Sequence, residues 1–188
     1  HMTLEAARNF SVSDNFALRV AAYHSEEDGY ARNSFDGRDY LGHDKTALRL
    51  SGLHQTDKLE VFVTAEFEDM DRDGSVYRVD HRSPRLEFLE TALGDFNMPA
   101  DPRGFNSDLF EGSADDAEIL TLGLHIDYDF DNMALSWSTG YKDHDYLYTE
   151  DYDGTPRNLG VYFQEQKGDY FQTELRLTST NDSPLSWY

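Results

Sequence analysis

The sequence predicts an all-β fold: an antiparallel up-and-down meander of about 7–8 strands, a segment of a large transmembrane β-barrel, with one short helix in a long loop. Two observations predict it. Apolar and polar residues alternate in segments such as 122–130 (LGLHIDYDF) and 133–141 (MALSWSTGY), which puts the apolar side chains on one face of each strand. Short and long connections also alternate along the chain, which is typical of barrels with short turns at one end and long loops at the other.

The hairpin around residues 131–132 carries the clearest pattern. A two-residue turn there pairs Tyr128 with Leu135 and Ile126 with Trp137, so the apolar residues of both strands share a face. The polar residues His125, Asp127, Asp129, Ser136 and Ser138 lie on the opposite face. The core of a soluble protein would not accept these groups, whereas a water-filled barrel interior would.

The same alternation predicts the other elements. Strands are expected at about 4–12, 16–25, 46–54, 59–68, 118–130, 133–148 and 169–178, with an eighth beginning at 185. Long loops are expected at about 26–45, 69–117 and 149–168. Within the middle loop, Ser83 is a suitable N-cap, Pro84 suits the first helical position and Gly94 suits the end, so a short helix is predicted there.

Turn lengths predict how neighbouring strands are aligned. A four-residue turn at 55–58 sets Leu50 opposite Val63 and places Arg49 diagonal to Glu66 on the polar face. A long side chain such as arginine reaches a diagonal neighbour on a sheet, so an ion pair is expected there.

The two ends of the sequence are interpreted as boundaries within a longer protein. Residues 1–2 look like the remnant of an expression tag, which leaves 3–188 as a partial β-barrel domain. A turn at 180–184 would align Leu175 with Trp187, and the sequence stops soon after this last strand begins.

Composition excludes several classes of protein. The formal net charge of -21 argues against a nucleic-acid partner, because phosphate recognition needs a basic surface. The absence of cysteine excludes a disulfide scaffold and a thiol nucleophile. No apolar run approaches the roughly 20 residues of a membrane helix, whereas a barrel strand needs apolar residues only at alternate positions.

The sequence gives no sign of a catalytic site. Its seven histidines never fall at a spacing that suits a metal site, and its serine, histidine and aspartate residues show no ordered arrangement. The chain is therefore predicted not to be an enzyme.

One acidic stretch suggests a cation, and no cofactor other than calcium is suggested. Asp69, Asp71, Asp73 and Asp80 fill positions 1, 3, 5 and 12 of a calcium-binding loop, and Gly74 fills position 6. Position 12 is usually glutamate, and a strand precedes the stretch where a helix is usual. An ordinary solvated acidic loop is the alternative interpretation.

Several segments resemble the barrel of TonB-dependent outer-membrane receptors. The matching segments are EDGYARN (27–33), GRDYLGHDKTALRLSGLHQTDKLEVFVTAEFED (37–69), STGYKDHDYLYTEDYDGTP (138–156) and FQTELRLTSTNDSPLSWY (171–188). Of the two later segments, 171–188 is the more specific match. Residues from about 70 to 117 match no pattern of the family.

The resemblance implies a function for the parent protein. Such receptors are barrels of about 22 strands closed by an N-terminal plug, and they import scarce large solutes such as ferric siderophores, corrinoids or glycans with energy delivered through TonB. It implies the outer membrane of a Gram-negative bacterium, with outer-membrane lipid around the barrel. This chain contains neither the plug nor the segment that contacts TonB. A soluble or surface-exposed calcium-stabilised β-sheet binding module and a passive porin are the alternatives.

Candidate functional residues fall into three groups. Charged residues predicted to face the lumen are Arg19, Arg49, Glu60, Glu66, Glu174 and Arg176. They either guide the solute and the plug or, as favoured here, form cross-strand pairs that support the wall. First-loop aromatic residues that could contact a solute are Tyr30, Phe35 and Tyr40. Tyrosines near strand ends and in the adjoining loops are predicted to form an aromatic girdle at the membrane surface, with stacking on a solute as the alternative: Tyr23, Tyr141, Tyr146, Tyr148, Tyr152, Tyr162 and Tyr170.

Overall fold

The computed structural model describes residues 1–81, 83–109, 113–181 and 185–188. Its elements are β1 (Met2–Ser13), β2 (Phe16–Glu27), β3 (Ala31–Asn33), β4 (Asp39–Tyr40), β5 (His43–Gln55), β6 (Leu59–Arg72), α1 (Pro84–Leu93), β7 (Gly104–Phe105), β8 (Ala114–Asp129), β9 (Met133–Asp151) and β10 (Val161–Ser179). None of the helices in these ranges is long and apolar enough to cross a membrane.

The long strands form a single seven-stranded sheet in the order β1-β2-β5-β6-β8-β9-β10. Every neighbouring pair in it is antiparallel. The spatial order of the long strands is also their order along the chain, so the predicted all-β meander is confirmed. The sheet is open, because β1 and β10 each pair on one side only among the described residues.

The two faces of the sheet differ as the alternation predicts. The strand pairing puts large apolar side chains of six strands on one face, which we call the apolar face: Val20, Leu48, Leu50, Val63, Phe67, Leu120, Leu122, Ile126, Trp137, Leu175 and Leu177. Leu50 is 49% exposed and Leu122 is 40% exposed. We call the opposite side the polar face.

The hairpin between β5 and β6 corrects one predicted alignment. Leu50 lies opposite Ala65, not Val63, and Arg49 lies directly opposite Glu66, not diagonal to it. The Thr56 side-chain oxygen accepts a hydrogen bond from the Leu59 amide (3.1 Å), which favours a turn one residue further along the chain than predicted. The pairing shifts by an even number of residues, so every side chain stays on its predicted face.

Two predictions for the C-terminal part of the chain were wrong, the extent of one loop and the presence of a last strand. Residues 149–168 were expected to form a long loop, but β9 and β10 continue to Asp151 and from Val161, which leaves 152–160 as the connection. No strand forms in the described residues 185–188, and the Ser179 amide donates to the Trp187 carbonyl (2.9 Å), so the predicted pairing of Leu175 with Trp187 does not occur. Residues 182–184 of the predicted turn lie outside the described residues.

The predicted helix is confirmed as α1. The Ser83 side chain accepts a hydrogen bond from the Leu86 amide (3.2 Å), as an N-cap should, and Pro84 occupies the first turn. Gly94 ends the helix with φ of 94°, a value that favours glycine. The helix buries none of its residues.

The small apolar core lies in the loops rather than in the sheet. A second sheet, with the order β4-β3-β7, joins the first long loop to the second. Ala31, Tyr40 and Phe105 of this sheet pack with Leu109, which follows β7, into one buried cluster. The loops at this end of the meander therefore fold together as one unit, which we call the loop assembly.

Candidate solute-facing surface

The six charged residues predicted to face the lumen all lie on the polar face. Their side-chain partners are Asn9 for Arg19, Glu66 for Arg49, Gln55 for Glu60 and Glu174 for Arg176. Two more ion pairs, Lys45 with Glu68 (3.1 Å) and Arg72 with Asp115 (2.8 Å), lie on the same face nearer the loops. Cross-strand pairs contribute roughly 0.2–1 kcal/mol each, whereas Glu174 and Arg176 lie two positions apart on the same strand, β10.

An aromatic patch covers the polar face of β9 and β10 near the loops. It consists of His144, Tyr146, Tyr148, Tyr162 and Tyr170. The His144 and Tyr170 rings stack with centroids 5.3 Å apart, and Tyr148 meets Tyr162 edge-on at 6.0 Å. Except for Tyr141, which faces the apolar side beside Leu122, the strand tyrosines predicted as a girdle lie on the polar face.

Amide and carboxylate side chains lie around the aromatic patch and bind its tyrosine hydroxyls. The Tyr162 hydroxyl donates to Gln164 (3.1 Å), and Gln166 donates to the Tyr170 hydroxyl (3.3 Å). The hydroxyls of Tyr148 and Tyr77 both donate to one Glu150 oxygen. Tyr162 and Tyr170 remain about half exposed. The patch therefore offers ring faces for stacking beside donors and acceptors for hydrogen bonds.

The three aromatic candidates of the first loop lie in different surroundings. Tyr30 and Phe35 are 58% and 54% exposed, so both can contact a solute. Tyr40 is only 5% exposed; it packs edge-on against Phe105, and its hydroxyl donates to Asp36 (2.5 Å). Burial and this hydrogen bond raise the pKa of Tyr40 to about 12. Tyr40 is therefore a structural residue of the loop assembly, because pairing of β3 with β4 turns it inward.

A buried polar cluster holds the long loops together. Asn33 and Ser107 are fully buried and join the first and second loops, with the Asn33 amide donating to the Ser107 carbonyl (2.9 Å). The Ser107 hydroxyl in turn donates to the Asp151 carboxylate at the end of β9, which is 2% exposed. No pattern in the sequence indicates this cluster, since its members lie far apart along the chain and follow no motif.

The structure does not bring the four predicted calcium ligands together. Asp69 and Asp71 lie within the continuous strand β6, and the Asp73 carboxylate accepts a hydrogen bond from the Gly42 amide (2.7 Å). Among the described residues, these carboxylates do not form a group close enough to share an ion. Gly74 has another reason to be glycine: its φ is 70°, and a Cβ there would lie 2.9 Å from the Ala114 carbonyl oxygen. Calcium binding stays a prediction.

A serine, a histidine and an aspartate meet on the polar face, a contact that was not predicted. His125 lies opposite Ser138, with Nδ1 2.7 Å from the serine hydroxyl, and its Nε2 lies 2.9 Å from Asp127. The predicted hairpin around residues 131–132 could have indicated this contact, because it sets His125 opposite Ser138. The surrounding backbone amides lie in paired strands, whereas an oxyanion hole needs free amide donors.

Comparisons with known proteins identify a shared fold. No family model and no curated protein matches the chain. Among solved structures, the chain is similar to the ferric-catecholate import receptor Fiu from E. coli K12 in its open form, with a TM-score of 0.57 and 12% identity. The match covers 96% of this chain and 31% of the receptor, so the chain spans about a third of that protein's length. At this identity the likeness shows the fold alone: nearly the whole chain folds as part of this receptor does.

Proposed function

We propose that this chain is part of the barrel wall of an outer-membrane active importer, a TonB-dependent receptor in a Gram-negative bacterium. The main support is the contrast between the two faces of the sheet. The apolar face leaves Leu50, Leu122 and their neighbours exposed across most of the sheet, while the polar face carries cross-strand ion pairs. Lipid on one side and water on the other would satisfy both faces.

The arrangement of the connections supports the same proposal. The end of the sheet with long loops carries the loop assembly, and the other end carries short turns such as 131–132. The likeness to the receptor Fiu extends over this whole arrangement. In the proposed protein the loop assembly faces the exterior, and a plug domain and TonB are partners of the parent protein rather than of this segment.

The imported solute is proposed to be scarce and large, such as a ferric siderophore, a corrinoid or a glycan. The aromatic patch and the exposed Tyr30 and Phe35 form the surface that would contact it. Stacking on tyrosine and hydrogen bonding to Gln164 and Gln166 would then bind the solute before transport.

Uptake by whole cells tests the proposal. Cells with and without the parent gene would be given labelled iron chelates and oligosaccharides, with and without a protonophore. Energy-dependent uptake that needs the gene is expected. Uptake that needs the gene but not the energy source would indicate a passive porin, and recovery of the protein in the soluble fraction would indicate a soluble binding module.

A pair of neighbouring residues tests the proposed contact surface. Tyr162 faces the polar side and Phe163 the other, and they are 45% and 58% exposed. We expect Tyr162→Ala to reduce uptake at low solute concentration several-fold and Phe163→Ala to leave it unchanged. Equal uptake by both variants at equal protein levels would contradict a role for the aromatic patch.

A further inference from the structure

The aromatic patch on β9 and β10 is elongated along the strands. Same-face positions on a strand lie about 6.6 Å apart, and the Tyr146 and Tyr148 rings are accordingly almost parallel, with centroids 6.3 Å apart. On β10 the patch extends from Tyr162 to Tyr170, roughly 26 Å at about 3.3 Å per residue. An extended solute can therefore contact several rings at once, whereas a compact solute covers only part of the patch.

The charges around the patch cancel one another. Arg72 pairs with Asp115 (2.8 Å), which lies opposite Tyr148. At the two ends of the patch, Lys142 is exposed on the polar face, and the Glu150 carboxylate accepts hydrogen bonds from tyrosine hydroxyls. These two positive and two negative side chains leave little attraction for a solute with several negative charges. The formal net charge of -21 on the whole chain opposes such a solute further.

Neutral amide side chains lie between the rings. The Gln164 oxygen accepts from the Tyr162 hydroxyl (3.1 Å), and the Gln166 nitrogen donates to the Tyr170 hydroxyl (3.3 Å). In the part of the chain that the structure describes, this leaves the Gln164 amino group and the Gln166 oxygen for a solute. One amide thus offers donors and the other an acceptor, which suits hydroxyl groups because a hydroxyl both donates and accepts.

We propose that the aromatic patch binds an uncharged, extended oligosaccharide. This inference rests on the proposed transport function and selects one of the three classes of solute named there. A sugar ring has a face of carbon–hydrogen groups that can lie on a tyrosine ring, and hydroxyls at its edge that can bind Gln164 and Gln166. A ferric tris-catecholate chelate carries several negative charges and would need an excess of positive charge. A corrinoid is a compact macrocycle and would leave much of the patch uncovered.

Calorimetric titration of the intact parent protein tests the proposal separately from transport. The protein is kept in a detergent without a sugar headgroup, and the probes are cellohexaose, maltohexaose, xylohexaose, ferric tris-catecholate and cyanocobalamin. At least one hexasaccharide is expected to bind more tightly than the chelate and the corrinoid. Tyr170→Ala and Gln164→Ala should each weaken its binding at least fivefold. Phe171→Ala is the matched control, because Phe171 follows Tyr170 and lies on the apolar face, so its binding should be unchanged.

A charge variant distinguishes an uncharged solute from an anion. Lys142→Ala should leave saccharide binding unchanged, whereas it would weaken the binding of an anion. The proposal is overturned if no hexasaccharide binds, if the chelate or the corrinoid binds more tightly than every hexasaccharide, or if Tyr170→Ala and Gln164→Ala bind the saccharide as the unaltered protein does. It is also overturned if Lys142→Ala weakens binding as much as those two variants.

Failure of this inference is distinguishable from failure of the proposed function. A hexasaccharide that binds at the patch but enters cells without an energy source would contradict an active importer and support the binding site. Energy-dependent uptake of the ferric chelate without any saccharide binding would support the importer and overturn the site.

Discussion

At the scale of single residues, Asp151 carries the most unusual electrostatic environment in the loop assembly. Its carboxylate is 2% exposed and accepts hydrogen bonds from the Ser107 hydroxyl and from the Asp153 amide. Burial, and to a lesser degree the nearby Asp153 carboxyl, raises the pKa of Asp151 from 3.8 to about 6. The folded loop assembly therefore binds a proton at this position more readily than the unfolded loop does.

This difference predicts that acid stabilises the loop assembly. Because the folded pKa lies above the unfolded one, stability should rise as pH falls from above 6 towards 4 and should be lost again as pH rises through 6. The gain is on the order of 1–3 kcal/mol, since each pKa unit corresponds to about 1.4 kcal/mol. Hydrogen exchange of the amides around Asn33 and Ser107, corrected for the intrinsic effect of pH, measures it.

The Asp151→Asn variant isolates the effect from other titrating groups. Its side-chain oxygen can still accept from the Asp153 amide while its NH₂ group donates to the Ser107 hydroxyl oxygen, but it cannot ionise. We expect stronger protection than in the unaltered chain at pH 7.5 and no change attributable to this position between pH 7.5 and 4.5. Identical pH profiles of the variant and the unaltered chain would show that Asp151 does not titrate as described.

The contact among Ser138, His125 and Asp127 leads to a second prediction at this scale. Strand pairing occupies the neighbouring backbone amides of β6, β8 and β9, so these amides are not free to stabilise an oxyanion. We expect Ser138 not to react with a fluorophosphonate probe, and ester hydrolysis to be the same in the unaltered chain and in Ser138→Ala. Labelling that disappears in Ser138→Ala would refute this and would indicate a hydrolase.

At the scale of strands and loops, the sequence predicts faces well and boundaries poorly. Alternation with a period of two fixes which side a residue occupies, and Arg49 and Glu66 therefore share the polar face although their alignment was two residues off. The hydrogen bond from the Leu59 amide to the Thr56 side chain favours the observed turn and so the observed alignment. The alternation of apolar and polar residues contains no information on this turn. Val161, Tyr162 and Phe163 favour a strand, but apolar and polar residues do not alternate in 161–168, so the pattern did not extend β10 to them.

The length of β9 and β10 explains why the tyrosines were misassigned. Each strand has 19 residues, about 60 Å at roughly 3.3 Å per residue, whereas about 9–11 residues cross a membrane. Tyr146, Tyr148 and Tyr162 therefore lie beyond the apolar band and on the polar face. Tyr40 was misassigned for another reason: its burial depends on contacts with β7, more than sixty positions along the chain.

Adjacent positions on β8 test the assignment of the faces. Leu122 lies on the apolar face and Thr121 on the polar face opposite Glu66. In the intact barrel in phospholipid vesicles, Leu122→Arg should lower the free energy of unfolding by roughly 2–4 kcal/mol, as an arginine near the middle of the bilayer does. Thr121→Arg should change it little, because the added charge meets water and Glu66. A larger loss from Thr121→Arg would reverse the assignment of the faces.

At the scale of the whole molecule, the exposed area of the chain is larger than that of a compact protein of the same mass. Its accessible surface is 12603 Å² for 21.6 kDa, whereas a compact monomer of this mass exposes on the order of 9,200 Å². Few apolar residues are buried, and those belong mainly to the loop assembly. The apolar face contributes to this excess, since Leu50 and Leu122 on it are 49% and 40% exposed.

We therefore expect the isolated chain not to exist as a well-behaved monomer in water. An exposed strand edge pairs with other strands, and a broad apolar face associates with itself or with detergent. Light scattering coupled to size-exclusion chromatography should show oligomers or aggregates without detergent, and a single protein copy per micelle with it. The matched measurement is circular dichroism in both conditions, to show that β structure is present in each. A monodisperse folded monomer without detergent would mean that the apolar face is covered from within the chain, and the proposed barrel wall would then be wrong.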